Sequence, residues 1–191
     1  KIGFFRSIVL RKSFDKNQLL VNLVTSSQNL ESFDRKAFAD FMKTLFGERL
    51  AGLQHTINDD VADRAKIENG LNELLYGESV VLEKLLGLHF EISMESFFQT
   101  NPKSAELLYS KAIAYAQKNA DLKGQVLMDL FCGTGTIGQI MASQIENVKV
   151  IGVDIVPEAI EDAKRNAKRN GIKNLDFFAA DVGKFLFQYP D

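Results

Sequence analysis

The stretch Val126-Leu127-Met128-Asp129-Leu130-Phe131-Cys132-Gly133-Thr134-Gly135-Thr136-Ile137-Gly138 decides the fold. Val126–Phe131 is a short, nearly unbroken apolar run, as in a parallel strand buried on both faces. Glycines at 133, 135 and 138 follow, in the spacing G-x-G-x-x-G, and Thr136–Ile145 reads as a helix. Glycine suits such a loop because the turn is tight and a ligand must approach the backbone closely. Downstream, Val148–Val153 is a second strand, Pro157–Asn170 a helix with Gly171 just past its end, and Leu175–Ala180 a third strand. Upstream, Pro102–Asn119 is a helix with Asn101 as cap and Pro102 at its first position. The order α-β-α-β-α-β with short connections predicts an α/β, Rossmann-like parallel sheet with right-handed crossovers.

The first half has another character. Phe4–Lys12 and Gln18–Ser26 are rich in Val, Ile, Leu and Phe around the turn residues Asp15-Lys16-Asn17, which reads as a β-hairpin. Ser32–Leu50 carries apolar residues every three to four positions, so a helix is expected, with Ser32 as its N-cap. Gly52–Asn58, Ser79–Leu85 and Leu88–Ser93 read as further strands. An α+β domain with an antiparallel sheet is expected over 1–96, followed by the Rossmann-like domain over 97–191.

Composition bounds the function. Hydrophobic residues make up 46% and charged residues 25% of the 191, which excludes disorder, collagen and coiled coil. The longest run without a charge, Leu130–Ile145, has 16 residues with three glycines, too short for the ~20 apolar residues of a membrane helix. Charges at Lys1 and Arg6 break up the stretch a signal peptide would need to be apolar. One cysteine, Cys132, excludes a disulfide framework within these residues and fits a reduced, cytoplasmic setting. His55 and His89 have no partners at metal-ligand spacing, so no metal is expected. The net charge of −2 argues against a simple nucleic-acid binder. The balance is uneven, however: residues 1–16 carry five positives against Asp15, and residues 61–100 carry seven acids against three bases. That separation permits a basic face on an acidic body.

Two carboxylates frame the glycine loop. Asp154 ends the second strand, where a ribose-binding acid is expected, so NAD and FAD are candidates at that point. Asp129 tilts the choice. A pyrophosphate beside it would be repelled by about 4 kcal/mol per unit-charge pair at ~4 Å and an effective dielectric of ~20. S-adenosylmethionine has no phosphate and carries a sulfonium and an ammonium, so the same acid attracts it. Asp129 also suits a turn cap, Asp154 a helix cap, and Asp181, one strand later, either a cap or an acceptor for an adenine amino group. Cys132 is read as a buried structural thiol.

Phe97-Phe98-Gln99-Thr100-Asn101-Pro102, a helix, and then Asp129-Leu130-Phe131-Cys132-Gly133-Thr134-Gly135 resemble the RNA (uracil-5-)-methyltransferases of the RumA/TrmA type. Ser7-Ile8-Val9-Leu10-Arg11 and Val21-Asn22-Leu23-Val24-Thr25 resemble the central domain of the same family. The resemblance covers essentially the whole chain. It implies methyl transfer from S-adenosylmethionine to carbon-5 of a uridine in tRNA or rRNA. It implies that Gln99 contacts the methionine end, that Phe131, Gly133 and Gly135 line the pocket, that Asp154 holds the ribose and Asp181 the adenine. Thr136 stands where some relatives have Asn.

The family's catalytic cysteine and base lie in D-P-P-R and S-C-N segments, and neither occurs in these residues. The resemblance therefore implies a fragment truncated at both ends, inactive by itself and with no catalytic residue of its own; separately, a monomer is expected, though the residues leave the oligomeric state open. Two other classes stay open: a methyltransferase of a small molecule or protein, and a non-catalytic nucleotide- or RNA-binding module.

Overall fold

The computed structural model describes residues 3–60 and 71–188. Lys1 of the basic stretch and residues 61–70 of the acidic one lie outside the described residues. The chain divides into two units: Lys1–Glu83 with Ile92–Glu95, and Lys84–Glu91 with Ser96–Asp191.

The first unit is a four-stranded sheet in the order β1 (Phe5–Lys12), β2 (Leu19–Thr25), β3 (Leu50–Ile57), β4 (Leu71–Gly77). β1 and β2 form the expected antiparallel hairpin, with Ile8 opposite Leu23. The sheet is not antiparallel throughout, however. β2 and β3 run parallel, with Val21 beside Leu53. The cause lies in their connection: helix α1 (Arg35–Phe46) stands between them, and a crossover containing a helix returns the chain in the same direction. Val21, Ala39, Met42, Leu50 and Leu53 form the core under α1. The cap of α1 is Asp34, which accepts the Ala37 N–H at 2.8 Å; the expected cap, Ser32, ends a short 3-10 turn, Leu30–Ser32. Phe33 and Asp34 are extended, so the helix cannot start before them. Three positives of the amino-terminal stretch have partners within this unit. Lys12 lies 4.9 Å over the Phe14 ring, Lys16 pairs with Asp15, and Arg11 donates to the Met94 carbonyl.

β5 (Val80–Leu85) and β6 (Leu88–Ser93) make a hairpin whose turn, Leu86-Gly87, has φ of 47° and 86°. Both values suit the primed turn that matches strand twist.

The second unit holds α2 (Pro102–Asn119), β7 (Val126–Leu130), α3 (Thr136–Gln144), β8 (Lys149–Asp154), α4 (Pro157–Arg169), β9 (Leu175–Ala179) and α5 (Val182–Gln188). The three strands are parallel in the order β7-β8-β9. Asn101 caps α2 by accepting the Ser104 N–H, and Pro102 opens the helix. α4 ends in a Schellman motif: Gly171 has φ +68°, and Ile172 N–H reaches back to the Ala167 carbonyl at 3.0 Å. The core between sheet and helices includes Tyr109, Ile113, Ile140, Val150, Ile160, Ala163 and Phe177. β7 departs from the expected burial. Val126 is 52% and Met128 41% exposed, because β7 has a neighbouring strand on one side only among the described residues.

Candidate functional site

The parallel strands bring the carboxyl ends of β7, β8 and β9 to one edge of the sheet, and the glycine loop sits on that edge. Cys132 N–H donates to the Val153 carbonyl at 3.0 Å, and Gly135 N–H donates to the Cys132 carbonyl at 2.8 Å. The loop thus folds back over the end of β8. Phe131, at its start, holds φ +61° with a side chain 74% exposed. A bulky non-glycine residue in the left-handed region is strained, and such strain concentrates at ligand sites.

The three glycines answer three different demands. Gly135 has φ +71°, and a Cβ there would lie 2.4 Å from the Phe177 ring, so packing excludes a side chain. At Gly138 a Cβ would meet the Asp129 carboxylate at 2.9 Å. At Gly133 nothing lies within 4 Å of a Cβ; the demand is its φ of +54°, and the space beside it is open for a ligand.

Each framing carboxylate also holds backbone. Asp129 Oδ2 accepts the Gly138 N–H in the first turn of α3 at 2.8 Å. Asp154 Oδ2 accepts the Gly133 N–H at 2.8 Å, and its Oδ1 accepts the Val156 N–H at 2.9 Å. Each oxygen has two lone pairs, so Asp154 retains acceptor capacity toward a diol. Burial raises the Asp129 pKa, opposed by the Gly138 hydrogen bond and reinforced by Asp154. None of the ion pairs among the described residues involves Asp129 or Asp154. The pair suits a cationic ligand and opposes an anionic one. Cys132 lies among them, and burial, Asp129 and Asp154 push its thiol up to about 12. It is a neutral thiol at physiological pH, without nucleophilic character.

Phe131, Gly133, Gly135 and Asp154 meet at the loop. Ala180 N–H donates to the Asp154 carbonyl at 2.9 Å, which brings Asp181 to the same edge. Asp181 is exposed and caps α5, accepting the Lys184 N–H at 2.9 Å. Gln99 is exposed ahead of α2; burial raises the Tyr109 pKa, opposed by Gln99 and reinforced by the Asp129 charge. Two further residues escaped the sequence reading. Gln139, fully buried, donates to the Thr134 and Ala163 carbonyls and accepts from Asn170, tying the loop to α4. Tyr109 reads in the sequence as one more apolar position of α2, and only its polar neighbours set it apart.

A family model described as a methyltransferase domain matches residues 121–191. An uncharacterized RNA methyltransferase of Clostridium tetani is 42% identical over 193 residues, covering 99% of this chain and 40% of the relative. Another, from Clostridium acetobutylicum, is 40% identical, covering 100% and 40%. The chain spans about two fifths of the length of the curated relatives it matches. Among solved structures, Pyrococcus abyssi tRNA (uracil-54, C5)-methyltransferase, in complex with S-adenosyl-L-homocysteine, matches with a TM-score of 0.70 at 27% identity. The match covers 94% of this chain and 40% of that one. A SAM-dependent methyltransferase from Agrobacterium tumefaciens, 17% identical with a TM-score of 0.54 over 98% of this chain and 56% of its own, shares the fold. The second unit accordingly has the Rossmann-like fold of SAM-dependent methyltransferases, with three parallel strands among the described residues.

Proposed function

We propose that this chain is the cofactor-holding part of an S-adenosylmethionine-dependent RNA methyltransferase that acts, in the cytoplasm, on carbon-5 of a uridine in tRNA or rRNA. The observation that carries the cofactor reading is the pair Asp129 and Asp154 on either side of an open glycine loop, with no cation paired to either among the described residues. A sulfonium and an ammonium supply the missing positive charge; a pyrophosphate would add to the negative. Asp154 takes the ribose hydroxyls through its remaining lone pairs, Gly133 and Gly135 give the ligand access, Phe131 covers it, Gln99 meets the methionine end and Asp181 the adenine. When bound, the cofactor supplies an electrophilic methyl group.

The RNA and carbon-5 reading is supported by the likeness to the Pyrococcus abyssi enzyme and by the RNA methyltransferase relatives. In that chemistry a thiolate adds to carbon-6 of the uracil. Cys132 does not supply it, because its thiol is held far above the working pH range. The 191 residues alone are therefore expected to bind cofactor without methylating RNA. The test is disruption of the gene, followed by mass spectrometry of nucleosides from total RNA. Loss of one 5-methyluridine, restored by the gene in trans, is the expected result. An unchanged 5-methyluridine content overturns the uridine reading.

A further inference from the structure

We propose that the tip of the β1–β2 hairpin is a contact for single-stranded RNA: the Phe14 ring stacks on an unpaired base while Lys12 and Lys16 meet the flanking phosphates. The inference rests on the RNA reading above and assigns to it a surface on the first unit.

The tip is Ser13-Phe14-Asp15-Lys16-Asn17. Ser, Asp and Asn are ordinary turn residues, and phenylalanine is not. Phe14 is 57% exposed, so its ring does not serve the core. Its backbone is nevertheless held. Glu83, only 2% exposed, accepts the Phe14 N–H at 2.6 Å through one carboxyl oxygen and the Asp15 N–H at 3.0 Å through the other. Ser13, fully buried, donates its hydroxyl to the Leu82 carbonyl and accepts the Lys16 N–H at 3.2 Å. Burying a carboxyl group is costly unless it is hydrogen-bonded, and both oxygens of this one fix the backbone that carries an exposed ring. A ring held before its partner arrives gives up little entropy on binding. Lys12 Nζ sits 4.9 Å from the ring centroid, over one face, and the exposure of the ring leaves room for a base on the other. The one acid of the tip, Asp15, pairs with Lys16 at 3.6 Å, a surface pair of little strength that a phosphate can replace. An exposed aromatic ring interleaved with lysines is the chemistry that takes single-stranded nucleic acid, base on ring and backbone on cation.

The experiment is fluorescence anisotropy on the full chain, with a fluorescein-labelled oligouridylate of about twelve nucleotides and an RNA duplex of the same length as probes. Phe14→Leu keeps an apolar side chain and removes the ring. It should melt at the parent's temperature and bind the oligouridylate about five- to hundredfold more weakly, with the salt dependence unchanged. Lys12→Ala should weaken the binding of both probes and lower the salt slope, since it removes a phosphate contact. The chain has no tryptophan, so Phe14→Trp installs a single reporter at the tip. It should bind the oligouridylate at least as tightly as the parent, and its fluorescence should be quenched by the stacked base. Unchanged oligouridylate binding by Phe14→Leu, equal losses on single strand and duplex, or an unquenched Phe14→Trp complex each overturn the stacking contact and leave the methyltransferase reading standing. A folded parent that binds neither probe overturns the RNA contact altogether, and the nucleoside measurement above then decides separately whether the methyltransferase reading stands.

Discussion

The Asp154 carboxylate accepts the Gly133 N–H at 2.8 Å, so the acid at the end of β8 shapes the loop at the end of β7. The same Asp154 accepts the Val156 N–H, which turns the chain into α4. An acid proposed to bind ribose is thus also a strut of its own pocket. Asp154→Ala should remove both functions. Hydrogen bonds to charged groups contribute ~1.5–3 kcal/mol net, so S-adenosylmethionine binding should fall on the order of tenfold to a hundredfold. The melting temperature should fall as well. Asp154→Asn keeps one acceptor oxygen, so it should recover part of the stability but little of the affinity. Calorimetry and thermal melts on the two variants check this. An Asp154→Ala protein that folds and binds as tightly as its parent would sink the assignment.

The glycines should separate stability from binding. Gly135→Ala places a methyl against the Phe177 ring and strains a left-handed residue, so it should unfold or strongly destabilise the second unit. Gly133→Ala meets no atom within 4 Å, and its cost is the left-handed backbone, about 1–2 kcal/mol. It should fold, melt somewhat earlier, and bind cofactor weakly because the methyl enters the open space beside the loop. Melting curves rank the two variants, and calorimetry on Gly133→Ala tests the access. Full affinity there would remove the loop from the site.

Much of this is legible in the sequence. The parallel strands β7, β8 and β9 stood out because buried strands leave apolar runs and the helices between them carry local caps, Asn101 with Pro102 and Gly171. These are short-range signals. The parallel pairing of β2 with β3 was not legible, because strand direction depends on where a crossover returns, and no local residue records that. β4 escaped because Leu71–Gly77 lacks clean alternation; most of its side chains are exposed, and the pairing with β3 shifts register between Leu53 and Gln54. In the site, Asp129, Asp154 and the glycines could be read from spacing. Gln139 could not, since its hydrogen bonds to Ala163 and Asn170 join residues distant in sequence.

Asp129 should make cofactor binding depend on pH. Burial raises its pKa in the folded protein, so the folded state binds its proton more tightly than the unfolded state does. The stability of the ligand-free protein should therefore fall as pH rises from the ordinary aspartate pKa through the raised folded value. A cationic ligand favours the ionised form, so S-adenosylmethionine should bind more tightly over that same window, with release of a proton. Asp129→Asn keeps an acceptor for the Gly138 N–H and cannot ionise. It should flatten both dependences and weaken binding above the window. Calorimetry in buffers of differing ionisation enthalpy counts the proton. Equal proton release by the parent and Asp129→Asn would refute the role.

Cys132 provides a direct probe of the site's electrostatics. Its thiol is pushed up to about 12 by burial first, then by Asp129 and Asp154. The thiolate is the species that reacts with alkylating agents, and an ordinary thiol near pKa 8.5 already has a few per cent of it near neutral pH. A thiol pushed up to about 12 has that fraction lowered by more than about a thousandfold. Iodoacetamide should therefore label native Cys132 far more slowly than the unfolded chain at pH 7.5. Asp129→Asn removes one of the two charges and should speed labelling of the folded protein. Bound S-adenosylmethionine should have two opposed effects: its positive charge favours the thiolate, and its bulk blocks the reagent. Labelling alone is then ambiguous in the complex, so the decisive comparison is between ligand-free parent and Asp129→Asn. Cys132→Ser should bind cofactor within about twofold of the parent, since the thiol holds only a weak contact to the Gly133 carbonyl at 3.8 Å. Rapid labelling of the native parent, at the rate of the denatured chain, would show that the carboxylates do not govern this loop.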